Sequence, residues 1–272
     1  MIATGDPGRK GNLVKRVLVT GVSSGLGLAV ADLLLAKGAI VYGLSRRAPP
    51  RLCEHPNFHF VSIDLGDLAC IQAATKSLVR DVAWMDLVIL NAAVLGSIED
   101  MQNAAVRDLK RTMNVNLWAN KVLVDSLLSL DLKLSQVVAI SSGISVEPQR
   151  GWSGYALSKG ALNTLMALYA AELPDTHFSA ISPGLIDTPM QDQLTGLASD
   201  TRFFTIEMLK MLKGTPEMPA PRSVAERLLS AVEAVRRLPN GTYTDLETLL
   251  AGTSALPSIT LAEYAQRRRS AR

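Results

Sequence analysis

The chain has 272 residues, of which 48% are apolar, and 28 lysines and arginines stand against 25 acidic residues, giving a formal charge of +3. A chain of this length and composition can bury a full hydrophobic core, which excludes disordered, collagen-like and small disulfide-rich proteins. The small positive excess does not predict nucleic-acid binding, because part of it is a solvated C-terminal tail that contains Arg267, Arg268, Arg269 and Arg272.

Short β-branched apolar runs alternate with longer stretches of helical period from Arg16 onward. This alternation is typical of a parallel sheet covered by helices on both faces, so we predict a single-domain α/β protein with a doubly wound parallel sheet. Strands are predicted near 16–20, 39–44, 58–62, 86–90, 136–141, 177–181 and 242–246. Helices are predicted near 25–37, 67–82, 104–129, 154–172 and 222–236.

The two ends and one internal segment depart from this pattern. Residues 1–14 are predicted to be a flexible tail, residues 15–250 the folded domain, and residues 251–272 a C-terminal extension. Between about 187 and 221, prolines and glycines bracket one short helical patch, FFTIEMLKML. Because α/β proteins bind ligands at the carboxyl end of the sheet, we predict that this insertion is a substrate lid.

Cysteine, histidine and hydropathy patterns bear on compartment and metal binding. Cys53 and Cys70 allow one disulfide at most and favour a reducing, cytoplasmic setting. His55, His59 and His177 lack ligand-like spacing, so no metal site is predicted. The first residues do not read as a signal peptide, and no run approaches the roughly 18 apolar residues that span a bilayer, so no membrane association is expected.

The first strand runs directly into a glycine-rich turn and then into an apolar helix. Such glycines suit a tight turn in which a phosphate approaches the backbone at a helix N-terminus, where free N–H groups and the helix dipole favour anions. Because strand, turn and helix occur in the required order, we predict a dinucleotide site rather than an ordinary βα turn. The expected contacts are Gly21, Ser23, Ser24, Gly25, Leu26 and Gly27.

The end of the second strand indicates which dinucleotide is expected. A carboxylate there would bind the adenosine ribose, whereas a cation would pair with a 2′-phosphate. Arg46 and Arg47 stand at this point without a carboxylate, so NADP(H) is predicted over NAD(H); the alternative is that both are only solvated. Further residues at the carboxyl edge, which are either cofactor contacts or ordinary turn residues, are Asp64, Leu65, Asn91, Ala92 and Ala93.

Ser142, Tyr155 and Lys159 form a candidate catalytic group. Ser142 follows an apolar strand, and Tyr155 and Lys159 are four residues apart on one face of a predicted helix. A phenol with a pKa of about 10 exchanges protons poorly at neutral pH, but a neighbouring ammonium group stabilises the phenolate and lowers that pKa. Tyr155 is therefore predicted to be a general acid.

Together these motifs resemble the short-chain dehydrogenase/reductase family over residues 16 to 246: T-G-x-x-x-G-x-G, Asn-Ala-Ala, Ser-x12-Tyr-x3-Lys and a late Pro-Gly. The resemblance implies a Rossmann-type catalytic domain in which the serine positions a carbonyl, the tyrosine gives the proton, and the lysine binds the nicotinamide ribose. Family members commonly pair through helices that match 104–129 and 154–172, which implies a homodimer or homotetramer. The resemblance also implies cofactor contacts from Pro183, Gly184, Ile186 and Thr188.

The family's proton relay includes an asparagine in the helix before the catalytic strand, and Asn116 matches its pattern. Asn114 is a rival, but two residues apart on a helix point about 200° apart, so only one of them can face the site. A surface or capping amide is the alternative. The sequence departs from the family in two motifs: the usual Asn-Asn-Ala-Gly appears as Leu90-Asn91-Ala92-Ala93, and Ser24 stands where NADP-dependent relatives often carry a basic residue.

Finer motifs in segments 141–155, 182–191 and 240–245 resemble one branch of the family, sepiapterin reductase and its microbial relatives, including benzil reductases. This implies NADPH-dependent reduction of one carbonyl of a vicinal dicarbonyl, in a pterin side chain or a diketone. Asp245 would then either anchor a pterin or have a structural role. Trp152 and Met190 would either line the substrate site or only pack against other side chains. An apolar ketone or core packing would explain Met190, Leu194, Phe203, Phe204, Met208 and Met211.

The sequence therefore predicts an NADP(H)-dependent oxidoreductase that reduces a small carbonyl compound. One alternative is another reaction of the same chemistry, such as reduction of a β-keto thioester or oxidation of a secondary alcohol. A second is a dinucleotide-sensing scaffold without turnover. The intact set of Ser142, Tyr155 and Lys159 argues against the scaffold, because a binding module needs no perturbed phenol.

Overall fold

The computed structural model describes residues 16–251, in which one layer of parallel strands lies between two layers of helices. The seven predicted strands are all present, and two further short strands occur. In chain order the strands are β1 (Arg16–Thr20), β2 (Ile40–Ser45), β3 (Phe58–Ser62), β4 (Trp84–Met85), β5 (Leu87–Leu90), β6 (Lys133–Leu134), β7 (Gln136–Ile140), β8 (His177–Ser182) and β9 (Tyr243–Asp245).

Ten α-helices connect and cover the strands in this part of the chain. They are α1 (Gly25–Ala36), α2 (Pro50–Cys53), α3 (Leu68–Leu78), α4 (Val106–Met113), α5 (Ala119–Leu128), α6 (Ser153–Glu172), α7 (Pro189–Thr195), α8 (Phe204–Leu212), α9 (Pro221–Val235) and α10 (Leu246–Leu250). A π-helical turn, Asn114–Trp118, joins α4 to α5, and a 3-10 turn, Gly143–Ser145, follows β7.

The main sheet has the strand order β3-β2-β1-β5-β7-β8-β9 with every pair parallel, and β4 pairs separately with β6. The chain begins in the middle at β1, moves outward to β3, and returns to the other side of β1 at β5. The strand order therefore reverses between β1 and β5. Doubly wound sheets bind ligands at the carboxyl ends of the strands at such a reversal.

Two hydrophobic cores fill the space on either side of the sheet. Successive residues of a strand point to opposite faces, so Val17 and Val19 of β1 join one core and Leu18 joins the other. Helices α1 and α9 cover the first face, and α3, α5 and α6 cover the second. The doubly wound α/β architecture predicted from the sequence is thus confirmed.

Several helices differ from the sequence prediction in their bounds or their number. The single helix expected over 104–129 consists of α4, the π-helical turn and α5. The predicted lid segment contains two helices, α7 and α8, where one was expected. A π-helical turn adds one residue to a turn without breaking the apolar pattern on either side, so periodicity does not reveal it. The short elements α2, β4, β6 and α10 were not predicted at all, because so few residues carry no measurable period.

The predicted tail 1–14 lies outside the described residues, as does the extension from residue 252 onward with its four arginines. Within 16–251, no helix is both long enough and apolar enough to cross a bilayer. The same residues contain no group of three or more His, Cys, Asp or Glu side chains that could hold a metal ion. Cys53 and Cys70 are both free and exposed.

Candidate active site

The turn between β1 and α1 forms a backbone cradle at the carboxyl edge of the sheet. Gly21 and Gly25 have positive φ angles of 77° and 57°, which side-chain-bearing residues rarely adopt. Gly27 packs so closely under the turn that a Cβ there would lie 2.4 Å from the Gly21 carbonyl oxygen. Side chains at these positions would close the turn, and their absence leaves room for a phosphate group beside the N-terminus of α1.

Thr20 and Asn91 hold this cradle against the end of β5. The backbone N–H groups of Asn91 and Ala92 each donate to Thr20 Oγ1 at 2.9 Å, and Asn91 Nδ2 donates to the Thr20 carbonyl oxygen at 2.8 Å. Asn91 therefore uses its side-chain nitrogen to fix the turn, although the residue also lines the cleft. Sequence reasoning did not single out Thr20, whose position just before the first glycine was the available signal.

A cleft of about 590 Å³ runs along this edge of the sheet. Of the predicted cofactor residues, only Gly27 does not line it, because Gly27 is packed beneath the turn. The cradle and the long shape of the lining fit a dinucleotide. The predicted cofactor residues on its wall are Gly21, Ser23, Ser24, Gly25, Leu26, Arg46, Arg47, Asp64, Leu65, Asn91, Ala92, Ala93, Tyr155, Lys159, Pro183, Gly184, Ile186 and Thr188.

Arg46 and Arg47 lie at the β2 end of the cleft with exposed side chains. Two hydroxyl groups fix their backbone: Ser62 Oγ donates to the Arg46 carbonyl oxygen at 2.9 Å, and Ser45 Oγ donates to that of Arg47 at 2.8 Å. Neither guanidinium forms an ion pair with a carboxylate within residues 16–251. Both cations are therefore free to bind an anion in the cleft.

The three predicted catalytic side chains converge at the other end of the cleft. Ser142 follows β7, and its hydroxyl forms a hydrogen bond with the Tyr155 phenol at the start of α6. Lys159, one turn further along α6, donates from Nζ to the Ile140 carbonyl oxygen at 2.6 Å, and Nζ lies 5.7 Å from the centre of the Tyr155 ring. The sequence spacing thus places a hydroxyl, a phenol and an ammonium group together.

The surrounding protein shifts the pKa of both ionisable groups. Removal from water raises the pKa of Tyr155 to about 12, and its hydrogen bond with Ser142 offsets part of that rise. Burial lowers the pKa of Lys159 to about 8, because the side chain is 2% exposed. The expectation that the Lys159 ammonium group lowers the phenol pKa is therefore wrong for this structure: burial raises that pKa and only Ser142 offsets the rise, so Tyr155 holds its proton throughout the neutral range.

Asn116 does not line the cleft, contrary to the expectation of a side chain facing the reaction. It is fully buried in the π-helical turn, where its Oδ1 accepts from the Val94 N–H at 2.8 Å and its Nδ2 donates to the Val94 carbonyl oxygen and Ser158 Oγ at 2.9 Å each. Its own carbonyl oxygen accepts from Asn120 Nδ2 at 2.8 Å. The structure thus gives the Asn116 side chain a positioning role between α4, α6 and the loop after β5.

Asp245 is also placed differently from the expectation that it anchors a pterin. It is the N-cap of α10: its Oδ1 accepts from the Thr248 N–H at 2.8 Å, and its Oδ2 accepts from Thr248 Oγ1 at 2.7 Å. An N-cap carboxylate satisfies a free N–H of the first helical turn. Asp245 is not among the residues that line the cleft, so this expectation is corrected to a structural role.

Trp152 and Met190 line the end of the cleft that contains Tyr155. Trp152 is 7% exposed, and its Nε1 donates to Thr205 Oγ1 of α8 at 2.8 Å. Its ring centre lies 5.8 Å from that of Tyr155. Trp152 therefore connects the start of α6 to α8 and presents an aromatic wall beside the Tyr155 phenol.

Sequence reasoning missed much of this apolar wall. Leu95 and Ile144 lie in the loops after β5 and β7, and Leu209 lies on α8; all three line the cleft and pack in one cluster with Trp152. Of the six lid residues considered from the sequence, Met190 and Leu194 line the cleft, whereas the side chains of Phe204 and Met211 are exposed. Position just after a strand end was the signal that could have found Leu95 and Ile144.

Comparison with known proteins agrees with this fold and arrangement. The family model described as short chain dehydrogenase matches residues 15–196. The chain therefore belongs to the short-chain dehydrogenase family, and it is an oxidoreductase of a family that uses a nicotinamide cofactor.

Individual relatives are similar to this chain over more residues than the family model matches. An uncharacterised oxidoreductase of Schizosaccharomyces pombe is 30% identical over 79% of this chain and 89% of its own length. The Bacillus subtilis benzil reductase, described as forming (S)-benzoin, is 29% identical over 86% of this chain and 98% of its own length. The crystal structure of the KRED1-Pglu enzyme superposes with a TM-score of 0.75 at 27% identity, covering 85% of this chain and all of that one.

Proposed function

We propose that the protein is an NADPH-dependent carbonyl reductase that reduces one carbonyl of a vicinal dicarbonyl compound. The observation that carries this proposal is the convergence of Ser142, Tyr155 and Lys159 at the apolar end of a cleft whose other end has a glycine cradle and free arginines. The likeness to a benzil reductase supports a dicarbonyl substrate, since benzil is a vicinal diketone.

The preference for NADPH rests on Arg46 and Arg47. Their guanidinium groups have no carboxylate partner within the described chain, and no carboxylate stands at the end of β2 to bind a ribose hydroxyl. Phosphate binding by arginine is strong because several N–H donors meet a doubly charged group. Ser45 and Ser62 hold the backbone of both residues, so only the two side chains need ordering on binding.

The substrate end favours an apolar or aromatic diketone over a pterin. The wall beside Tyr155 consists of Leu95, Ile144, Trp152 and Leu209, which would contact apolar surface. A pterin carries several hydrogen-bonding groups, and the carboxylate expected to bind them, Asp245, is engaged in capping α10.

The chain's own groups supply orientation and the proton. The Ser142 hydroxyl is placed to donate to the substrate carbonyl oxygen, and Tyr155, protonated at neutral pH, donates its proton as charge develops on that oxygen. Lys159 provides a positive charge near the phenolate that results. The nicotinamide, when bound, supplies the hydride for the carbonyl carbon. The apolar wall excludes water from this end of the cleft.

The test is NADPH oxidation by the purified protein with benzil, an aliphatic 1,2-dione, sepiapterin, a β-keto thioester and a matched monoketone, each repeated with NADH. We expect turnover of benzil and the dione, little with the monoketone or sepiapterin, and a preference for NADPH. Turnover confined to the thioester would indicate a biosynthetic ketoreductase. Tight NADPH binding without turnover of any carbonyl would favour a sensing role and contradict the proposal.

We also propose that two copies pair through α5 and α6. Leu157 and Leu168 on α6 are 51% and 54% exposed, and they lie three turns apart on one face of the helix. Trp118, just before α5, is 43% exposed. Two large apolar side chains on one exposed helix face mark a site of association more often than a single exposed leucine does. A symmetric pair would cover this face in both copies.

A further inference from the structure

A cluster of hydrogen-bonded side chains lies behind Ser142 and has no part in the function proposed so far. Ser141 Oγ donates to Asn163 Oδ1 at 2.6 Å, and Asn163 Nδ2 donates to Ser145 Oγ at 2.9 Å. Ser145 Oγ in turn donates to the Ser142 carbonyl oxygen at 2.6 Å. Neither Asn163 nor Ser145 lines the cleft, so any effect of theirs on the reaction must pass through another residue.

The directions of these hydrogen bonds follow from the protons available. A serine hydroxyl has one proton, and the 2.6 Å contact between Ser145 Oγ and the Ser142 carbonyl oxygen requires it, because a carbonyl has none to give. Ser145 Oγ must then accept from Asn163, which turns the amide nitrogen toward Ser145 and leaves the amide oxygen for the Ser141 proton. The Tyr243 phenol also forms a hydrogen bond with Ser145, and its own proton can fill the second lone pair. The Asn163 amide therefore sets the direction in which Ser145 donates.

The Ser142 carbonyl oxygen receives two hydrogen bonds from Ser145. Besides the hydroxyl, the Ser145 N–H donates to it at 3.0 Å. Ser142 stands where β7 passes into the 3-10 turn Gly143–Ser145, with an extended backbone at φ −162° and ψ 150°. Because the backbone angles set the direction of the Cα–Cβ bond, holding the Ser142 carbonyl also holds the direction from which its hydroxyl meets the Tyr155 phenol.

Asn163 also lies on the helix that carries the other two reacting groups. Tyr155, Lys159 and Asn163 follow one another along α6 at intervals of four residues, about one helical turn each. The same helix packs against the 3-10 turn after β7. The link from Asn163 to Ser145 therefore fixes Ser142 relative to α6, and hence relative to the phenol. Catalytic groups must be held within about 0.5 Å of their productive geometry, which such a link can provide.

We propose that Asn163 is a positioning residue for carbonyl reduction, which acts through Ser145 to hold the Ser142 hydroxyl toward the substrate carbonyl oxygen. This inference rests on the proposed reductase function and adds to it a residue outside the cleft. Without the Asn163 amide, the Ser145 hydroxyl can turn away, and the Ser142 carbonyl keeps only the N–H bond. The Ser142 hydroxyl would then be less well placed to stabilise the developing charge, a loss felt in the transition state more than in cofactor binding.

The test compares the wild-type chain with Asn163→Ala, Ser145→Ala and the double variant, using NADPH and benzil or whichever carbonyl the wild type reduces fastest. The measurements are kcat, KM, the NADPH dissociation constant and Tm. We expect each single variant to lower kcat about tenfold, the size of one lost hydrogen bond, with NADPH affinity kept within about twofold. The double variant should fall no further than either single one, because both changes break the same link.

Asn240 provides the matched control for an amide with a purely structural role. Its Oδ1 accepts from the Phe178 N–H at 2.7 Å, and its Nδ2 donates to the Thr176 carbonyl oxygen at 2.9 Å. These bonds lie at the amino end of β8, at the edge of the sheet opposite to the cleft. Asn240→Ala should therefore lower Tm about as much as Asn163→Ala does, and leave kcat at the wild-type value.

Four outcomes would overturn the inference. Wild-type kcat in a folded Asn163→Ala chain would do so while leaving the proposed function intact, and Ser145→Ala gives the same test if Asn163→Ala does not fold. An additive loss of about a hundredfold in the double variant would exclude the route through Ser145. An equal loss of kcat in Asn240→Ala would show general destabilisation. A wild-type chain that reduces no carbonyl would overturn the proposed function and this inference together.

Discussion

At the residue scale, Lys159 lies in an environment that is costly for a cation. Its side chain is 2% exposed, and the Ile140 carbonyl oxygen is the hydrogen-bond acceptor for its ammonium group. Burial lowers its pKa from 10.5 to about 8, which means that folding disfavours the charged form. A protein that keeps a charge at such a buried site loses folding stability, which is a common cost of a functional site.

Replacing Lys159 with methionine is therefore expected to abolish reduction while stabilising the fold. Below pH 8 the wild-type protein carries the full cost of the buried charge, roughly 3 kcal/mol from the shifted pKa. As pH rises from about 8 toward 10.5, the folded wild type loses that charge before the unfolded chain does, and the cost fades. Thermal unfolding should thus give Lys159→Met a higher Tm at pH 7 and a shrinking difference toward pH 10.

A surface lysine provides the control for this measurement. Lys110→Met removes a charge of the same kind from an exposed position, so its Tm should differ little from that of the wild type at any pH. A Lys159→Met protein that is less stable than the wild type at pH 7, or a difference that does not change with pH, would contradict this account of the buried ammonium group.

Site residues could be predicted from the sequence where their role depends only on residues close by in the chain. Gly21 and Gly25 could be assigned because a positive φ is a property of one residue, and Tyr155 and Lys159 because four residues span one helical turn. Asn116 and Asp245 were misplaced because their bonds depend on neighbours. The partners of Asn116 are 22 and 42 residues away, and α10, which Asp245 caps, is too short to predict.

At the element scale, polar contacts tie the predicted lid segment, residues 187–221, to the loops around the candidate active site. Trp152 donates to Thr205 of α8. The segment that carries Trp152 is joined in turn to the loop after β5, because the N–H of Glu99 donates to the Gly151 carbonyl oxygen at 3.2 Å. Asp100 accepts two hydrogen bonds from Arg150 and is also paired with Arg202, just before α8. These contacts hold the apolar wall next to the phenol.

Trp152→Phe keeps an aromatic ring in the wall but removes the hydrogen bond to Thr205. We expect the KM for a diketone to rise about three- to tenfold, the usual range for one lost hydrogen bond, with little change in NADPH affinity. Steady-state kinetics with benzil measure this directly. Trp84→Phe, at an exposed position far from the lid in the sequence, is the control. An unchanged KM in Trp152→Phe would mean that the contact does not shape the substrate site.

The elements themselves could be predicted in proportion to their length and regularity. The seven strands of the main sheet were found because buried parallel strands read as short apolar runs. The π-helical turn was not found because the apolar period on either side of it persists, and α7 was not found because its seven residues are too few to show a period. The elements that shape the substrate end of the cleft are therefore those that the sequence alone predicted least well.

At the scale of the whole molecule, the exposed leucines of α6 predict the oligomeric state. Leu168→Arg places a charge within the proposed contact, so we expect light scattering to show a dimer for the wild type and a monomer for the variant. Leu197→Arg makes the same change at a 42% exposed position in the lid region and should remain dimeric. A monomeric wild-type chain, or a dimeric Leu168→Arg, would contradict the proposed pairing.

The central claim for the molecule is that one phenol, at the meeting point of the β7 loop, α6 and the lid, gives the proton for carbonyl reduction. The most direct test is the kcat of Tyr155→Phe with NADPH and benzil, alongside its NADPH dissociation constant and its Tm. We predict that kcat falls by roughly 10² to 10⁴-fold while NADPH binding and folding persist. Turnover at the wild-type rate by the folded variant would contradict the claim.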